Sequence, residues 1–163
     1  MRGQKELYDK LRELTIEFTY YEHPAVFTIE EAKKYWKDID SGHCKNIFLR
    51  NHKGTRHYLV ILEHACQVNM KDLEQRLQQG KLSFASEKRL EKYLALQPGS
   101  VSPFGLINDT DRHVHLFIDK NLRNFKRLTF HPNDNTATLI ITTADFIKFL
   151  ESQGNSFEFV PLS

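Results

Sequence analysis

The stretch Cys44-Lys45-Asn46-Ile47-Phe48-Leu49-Arg50-Asn51-His52-Lys53-Gly54-Thr55-Arg56-His57-Tyr58-Leu59-Val60-Ile61-Leu62 decides the fold. Two strand-like runs, 44–50 and 55–62, flank the turn residues Asn51-His52-Lys53-Gly54. A short glycine-containing loop between two such runs specifies a β-hairpin. The segment 58–62 carries no charge and is continuously apolar, which predicts a strand covered on both faces. The other strand is entered by Lys45 and Asn46. A lysine there must be paired or must reach a pocket mouth, because burying a lone ammonium is costly. It either meets an internal carboxylate or holds a phosphate. Asn46 offers both a donor and an acceptor, to a ligand or to strand-end backbone groups.

Downstream, Asn69 caps a predicted helix over 70–79 that Gly80 ends, 81–85 is short and extended, and Ser86 caps a helix over 87–96. Then comes Gly99-Ser100-Val101-Ser102-Pro103, a turn before the apolar run 104–107, which reads as a strand. Glycine allows positive φ there, and proline stiffens the exit without donating an N–H. Successive free N–H groups in such a turn can form an anion or oxyanion site; an ordinary loop has the same composition. Strands are predicted over 114–118 and 136–142, with an extended lead-in over 126–130. Between the last two lies the turn His131-Pro132-Asn133-Asp134-Asn135. Thr143 is read as the cap of a helix over 144–152, and 157–160 as a last strand.

Upstream, Leu7, Leu11 and Leu14 fall on one face of a helix over 5–14. A strand over 15–21 ends at His23-Pro24. Thr28 and Glu31 form a capping box for a helix over 29–38, whose Lys33, Lys34 and Lys37 make a basic face. The pattern is α+β (mixed α/β). Short loops imply antiparallel pairs, and strands separated by helices imply some parallel ones.

The chain has 163 residues, 40% hydrophobic and 27% charged, and reads as one domain over 1–163. A formal charge of +2 is not the strongly basic footprint of a duplex-binding protein, yet it tolerates one end of an RNA. Cys44 and Cys66 form no Cys-x-x-Cys, and two unpaired thiols fit a reducing compartment. No signal core or membrane span is read, so a cytoplasmic location is expected.

His131 is either an exposed turn histidine or one that orients a substrate or passes a proton near neutral pH. His23 has the same local form. His113 and His115 share a strand face and could form a metal pair, but no third ligand suggests itself. No Gly-x-Ser-x-Gly elbow, Walker loop or Gly-x-Gly-x-x-Gly is present. No metal and no cofactor are expected.

Lys45-Asn46-Ile47-Phe48-Leu49-Arg50, the Lys53-Gly54 turn, Gly99-Ser100-Val101-Ser102-Pro103-Phe104-Gly105 and Phe130-His131-Pro132-Asn133 occur together in order. This set resembles the YbaK/prolyl-tRNA synthetase editing-domain superfamily, within it the free-standing ProX-type prolyl-tRNA deacylases, over nearly the whole chain. The resemblance implies a curved mixed, largely antiparallel sheet flanked by helices, the YbaK-like fold. It implies hydrolysis of the ester in mischarged Ala-tRNA(Pro), with no protein nucleophile and no metal. It points to Lys45 near the phosphate of the terminal adenosine, and to Gly99 and His131 as catalytic residues. Asn46, Ser100, Val101, Ser102 and Pro103 are expected to bind substrate. The implied partners are tRNA(Pro) charged with a non-cognate small amino acid and prolyl-tRNA synthetase; a monomer is expected. The alternative is a non-catalytic module that binds the tRNA end or docks on a synthetase.

Overall fold

The computed structural model of the chain describes residues 1–25, 41–67 and 69–162. The expected helix over 29–38 and the lysines 33, 34 and 37 lie outside the described residues. Among those described, the elements run α1 (Lys5–Glu13), β1 (Thr19–Glu22), β2 (Gly42–Asn51), β3 (His57–Glu63), α2 (Met70–Leu77), β4 (Leu82–Phe84) and α3 (Glu87–Leu94). A 3-10 helix (Pro103–Asn108), β5 (His115–Asp119), a second 3-10 helix (Lys120–Asn124), β6 (Arg127–Phe130), β7 (Ala137–Thr142), α4 (Thr143–Gln153) and β8 (Phe157–Val160) follow.

All eight strands join one mixed sheet in the order β1-β7-β6-β2-β3-β5-β8, with β4 also on β2. The β2–β3 hairpin sits at its centre in continuous antiparallel register from Cys44↔Glu63 to Arg50↔His57. Its turn is closed by Asn51, whose Oδ1 accepts from the N–H groups of Thr55 at 2.9 Å and Arg56 at 3.1 Å. The pairs β1–β7, β2–β4 and β6–β7 are antiparallel as well. The parallel pairs are β2–β6, β3–β5 and β5–β8.

Period-two alternation divides the core between the two faces of the sheet. Leu59 and Ile61 point into the larger cluster with α1, α3 and α4; Tyr58, Val60 and Leu62 point into the smaller one with Leu73 and Leu77 of α2. The continuous apolar run of β3 is therefore buried on both sides, as its composition predicts. Each such aliphatic side chain contributes about 1.5–3 kcal/mol on burial.

The caps are local. Asn69 accepts from Asp72 N–H at 2.8 Å and Ser86 from Arg89 N–H at 3.2 Å. The last helix is capped by Thr142, one residue earlier than expected, whose hydroxyl accepts from Asp145 N–H at 3.1 Å. The helices α2 and α3 stop on the left-handed residues Gln78 and Ala95, ahead of the predicted ends.

The larger departure is at 104–107, which is not a strand. Ser102 accepts from Phe104 N–H, Pro103 takes the first turn, and a 3-10 helix forms. Apolar runs of this length do not distinguish a strand from a buried helical turn. Gly105 permits the packing: a Cβ there would stand 2.7 Å from Leu96 Cδ1.

Candidate active site

The β2 strand presents an interrupted edge. On the side away from β3 it meets β6 at Gly42 and His43, and β4 at residues 49–51. His43 turns its carbonyl to β3, where it accepts from His64 N–H, and Phe48 turns its carbonyl to the β4 side, where it accepts from Ala85 N–H. By alternation, the main chain of Asn46 faces the interval between β6 and β4, which no strand fills among the described residues. Its side chain lies on the same face as Cys44 and Phe48, that of the larger cluster. Asn46 Oδ1 is buried without a hydrogen-bond partner among the described residues. A buried polar atom in that state needs an explanation, and a ligand is one.

Residues 99–103 carry a second set of unspent groups. Gly99 has φ +87°, in the region that favours glycine. Ser100 N–H returns to Gln97 O at 3.0 Å. Ser102 Oγ is committed to Phe104 N–H at 3.1 Å, and Ser102 O to Gly105 N–H at 3.1 Å. The N–H groups of Val101 and Ser102 have no acceptor among the described residues. Ser102 is wholly buried, and Val101 packs against the larger cluster. Two successive free N–H groups in a rigid turn suit an anionic or developing oxyanion.

His131 follows β6 and is half-buried. Its Nδ1 donates to Ala137 O at 2.8 Å, which fixes the tautomer and leaves the Nε2 lone pair without a partner among the described residues. Burial lowers the basicity of the ring, and neighbouring His23 adds to the effect. The imidazole is therefore neutral near pH 7 and can accept a proton or a hydrogen bond at Nε2.

The His131 turn is tied to the loop. Asn133, at φ +63°, donates from Nδ2 to Gln4 Oε1 at 3.0 Å and to Phe104 O at 3.4 Å. Gln4 and Asn108 exchange two further amide bonds of 2.7 and 2.9 Å. Phe104 and Phe130 meet edge to face at 5.7 Å. The 3-10 helix that continues the loop, the His131 turn and the start of α1 thus form one unit.

Lys45 is placed differently. It alternates with Cys44 and Asn46, and its ammonium donates to the Cys66 carbonyl just past β3. Cys66 lines a cavity of about 390 Å³ with Glu63, Ala65, Asn121, Asn124 and Phe125. No hydrogen bond or ion pair joins Lys45 to residues 99–103 or to His131 among the described residues. Its partner is thus a main-chain carbonyl rather than the internal carboxylate that was one reading of the sequence.

His23 was legible only as a second His-Pro. Its ring lies 6.0 Å from that of His131, accepting at Nε2 from the Thr138 hydroxyl and donating at Nδ1 to Pro24 O. Gln4 and Asn133 gave no sequence signal beyond turn and cap composition. The remaining candidates are occupied elsewhere. Cys44 and Cys66 are buried, and burial raises the Cys44 thiol far above the range of a nucleophile. His113 precedes β5 and bonds His57, while His115 bonds Ser156 and Glu158. No group of three His, Cys, Asp or Glu side chains that could hold a metal occurs among the described residues. No described helix is long and apolar enough to cross a membrane.

Comparison with known proteins converges on one family. The model of the aminoacyl-tRNA editing domain matches residues 23–149. The chain is 42% identical to the prolyl-tRNA editing protein ProX of Acetoanaerobium sticklandii, over 99% of both chains. It is 37% identical to the prolyl-tRNA synthetase associated domain-containing protein 1 of Danio rerio, over 91% of this chain and 81% of that one. A solved structure described as a candidate trans-editing enzyme for prolyl tRNA synthetase shares the fold, with TM-score 0.69 and 14% identity over 99% of this chain and 100% of that one. By sequence and by fold, the chain belongs to the aminoacyl-tRNA editing domain family.

Proposed function

We propose that this chain, an aminoacyl-tRNA deacylase of the editing family, removes alanine from mischarged tRNA(Pro). The observation that carries the reading is the 99–103 turn, whose Val101 and Ser102 N–H groups are unspent and which is tied through Asn133 to the His131 turn. The substrate is an ester between an amino acid and the terminal ribose. Its acyl carbon is already activated, so hydrolysis needs a water in line and stabilisation of the oxyanion that develops. The two free N–H groups are the proposed oxyanion donors. His131, neutral and open at Nε2, orients the attacking water or a ribose hydroxyl. Asn46 faces the interval between β6 and β4 and satisfies its buried oxygen on the substrate. Ser100 and Pro103 shape the aminoacyl pocket. Lys45 takes the phosphate of the terminal adenosine: its ammonium has three donors, and the Cys66 carbonyl engages one.

Size sets the selectivity. A pocket that admits a methyl side chain but not a pyrrolidine ring distinguishes them by exclusion, whereas a merely apolar pocket gives about 1–3 kcal/mol per methylene. The chain acts in trans, in the cytoplasm, on tRNA released by prolyl-tRNA synthetase.

The test is release of amino acid from tRNA(Pro) charged with alanine, cysteine or proline. Alanine should be released fastest and proline not at all. Absence of release from all three by folded protein rejects the reading. Lys45→Ala should lower kcat/KM by on the order of 10²-fold, through loss of a charge-assisted phosphate contact; an unchanged rate removes Lys45 from the site.

A further inference from the structure

The far end of the β2–β3 hairpin carries a group of cations that the proposed chemistry does not use. Lys53 and Arg56 are exposed on the hairpin, Lys92 is exposed on α3, and Arg50 and Arg89 lie partly buried between them. None of the five has a carboxylate within ion-pair distance among the described residues. Two guanidinium groups converge on the turn: Arg89 Nη2 and Arg50 Nη1 stand 2.8 and 3.2 Å from where a Cβ on Gly54 would be. Like charges gathered without a counter-ion repel, and an anion relieves that repulsion.

A directed chain of hydrogen bonds runs through the same place. Arg89 Nη1 donates to Gly54 O at 3.0 Å and to His57 Nε2 at 3.0 Å. An arginine cannot accept, so His57 carries its proton on Nδ1 and donates to His113 Nε2 at 2.8 Å. His113 therefore carries its own proton on Nδ1, with no acceptor among the described residues. Its ring stacks on Tyr93 at 4.4 Å, and the Lys92 ammonium lies 5.1 Å from the centre of the Tyr93 ring. His113 lines two cavities, one of about 500 Å³ with Arg56 and one of about 270 Å³ with Lys92. The carboxylate in the larger cavity, Glu158, is held by His115 at 3.1 Å. The smaller cavity also has two carboxylates in its lining, Asp109, which accepts from Val114 N–H and Asn155 Nδ2, and the exposed Asp111. The hairpin itself presents only donors and cations at Arg50, Lys53 and Arg56.

We propose that the hairpin end, through Arg50, Lys53, Arg56, Lys92 and the His113 N–H, binds the sugar-phosphate backbone of the tRNA body. This rests on the deacylase reading above. The strand itself supplies the spacing. Asn46 and Arg50 share a face of β2 and are four residues apart, or about 13 Å. That is about four phosphates at the roughly 3.4 Å spacing of a stacked strand. The span from Asn46 to the cations is thus that of an unpaired 3′ end of about four nucleotides, and since Phe48 between them is buried in the core, the RNA passes outside the strand face. The contacts are to phosphate, so they set affinity and register rather than sequence preference.

The test is the exposed pair Lys53→Ala/Arg56→Ala. On alanine-charged full-length tRNA(Pro) the double variant should raise KM about tenfold and leave kcat unchanged. The slope of log(kcat/KM) against log salt should fall by about 1.5, since each phosphate contact contributes roughly 0.7–0.9. On a short alanine-charged CCA-end oligonucleotide, too short to reach the hairpin, variant and parent should be equal. Equal loss on both substrates, or no change on full-length tRNA, overturns the proposal. Affinity for uncharged tRNA(Pro), measured directly, keeps the test valid should the chain prove to release no amino acid: a tenfold loss in the variant still supports the surface, and equal affinity rejects it. Unchanged tRNA affinity with weakened binding to prolyl-tRNA synthetase would assign the patch to a protein instead.

Discussion

His131, just past β6, and His57, at the start of β3, are held in the same tautomer, and only His131 keeps a ring nitrogen without a partner among the described residues. Each donates from Nδ1, His131 to Ala137 O and His57 to His113. Each has its basicity lowered chiefly by burial. The difference is at Nε2, where Arg89 occupies His57 and no described residue occupies His131. A depressed basicity therefore does not mark a working histidine by itself. On the proposed reading, what marks it is a second nitrogen without a partner among the described residues, in a turn that Asn133 joins to Phe104, just past the Val101 and Ser102 N–H groups. The hairpin-end histidine instead has both ring nitrogens engaged, one by Arg89 and one by His113.

The sharpest way to break this contrast is to remove each ring. His131→Ala should lower kcat/KM on alanine-charged tRNA(Pro) by on the order of 10²–10³-fold, the range of a positioned proton acceptor, with little change in stability. His57→Ala should do the reverse. It leaves a cavity against Phe48 and Tyr93 and strips partners from Arg89 and His113, at a cost of about 3 kcal/mol in urea denaturation, while kcat stays near parent. Similar kinetic losses from both variants would remove the distinction.

Acidification separates the two rings by a smaller margin. Neutral His57 is favoured in the folded state, since its pKa is lowered from 6.5 to about 4. The stability this gives is fully present above about pH 6.5 and is lost as pH falls toward 4. His131 is shifted in the same direction, so kcat/KM should be flat above pH 6.5 and decline on the acid side as Nε2 protonates. An activity that rose on acidification would contradict a proton-accepting role. The least effect belongs to Ser86→Ala, which removes the α3 cap near Arg89 and should cost about 1 kcal/mol without altering kcat.

Much of the architecture was legible because it is set locally. The hairpin is written in two strand-like runs and a glycine turn, and the Asn69 and Ser86 caps in side chains that reach their own helices. The misread segment at 104–107 carried a local signal as well, the Ser102 cap with Pro103 in the first turn, but its apolar run has the same composition as a strand. The close approach of Leu96 to Gly105 was not legible. The site was legible as a set of residue types, in the Lys-Asn strand entry, the Gly-to-Pro turn and the His-Pro turn. Their spatial relations were not: that Asn133 joins the last two, that His23 stands beside His131, and that the Lys45 ammonium rests on the Cys66 carbonyl.

The amino-acid order alone determined the central hairpin, the Asn69 and Ser86 caps and the chemical inventory, because periodicity, turn residues and capping act over a few neighbouring positions. Only the tertiary structure decided which polar groups remain unspent. Hydrogen-bond satisfaction is settled between segments far apart in the chain: Arg89 meets His57 across 32 positions, and Asn133 meets Gln4 across 129.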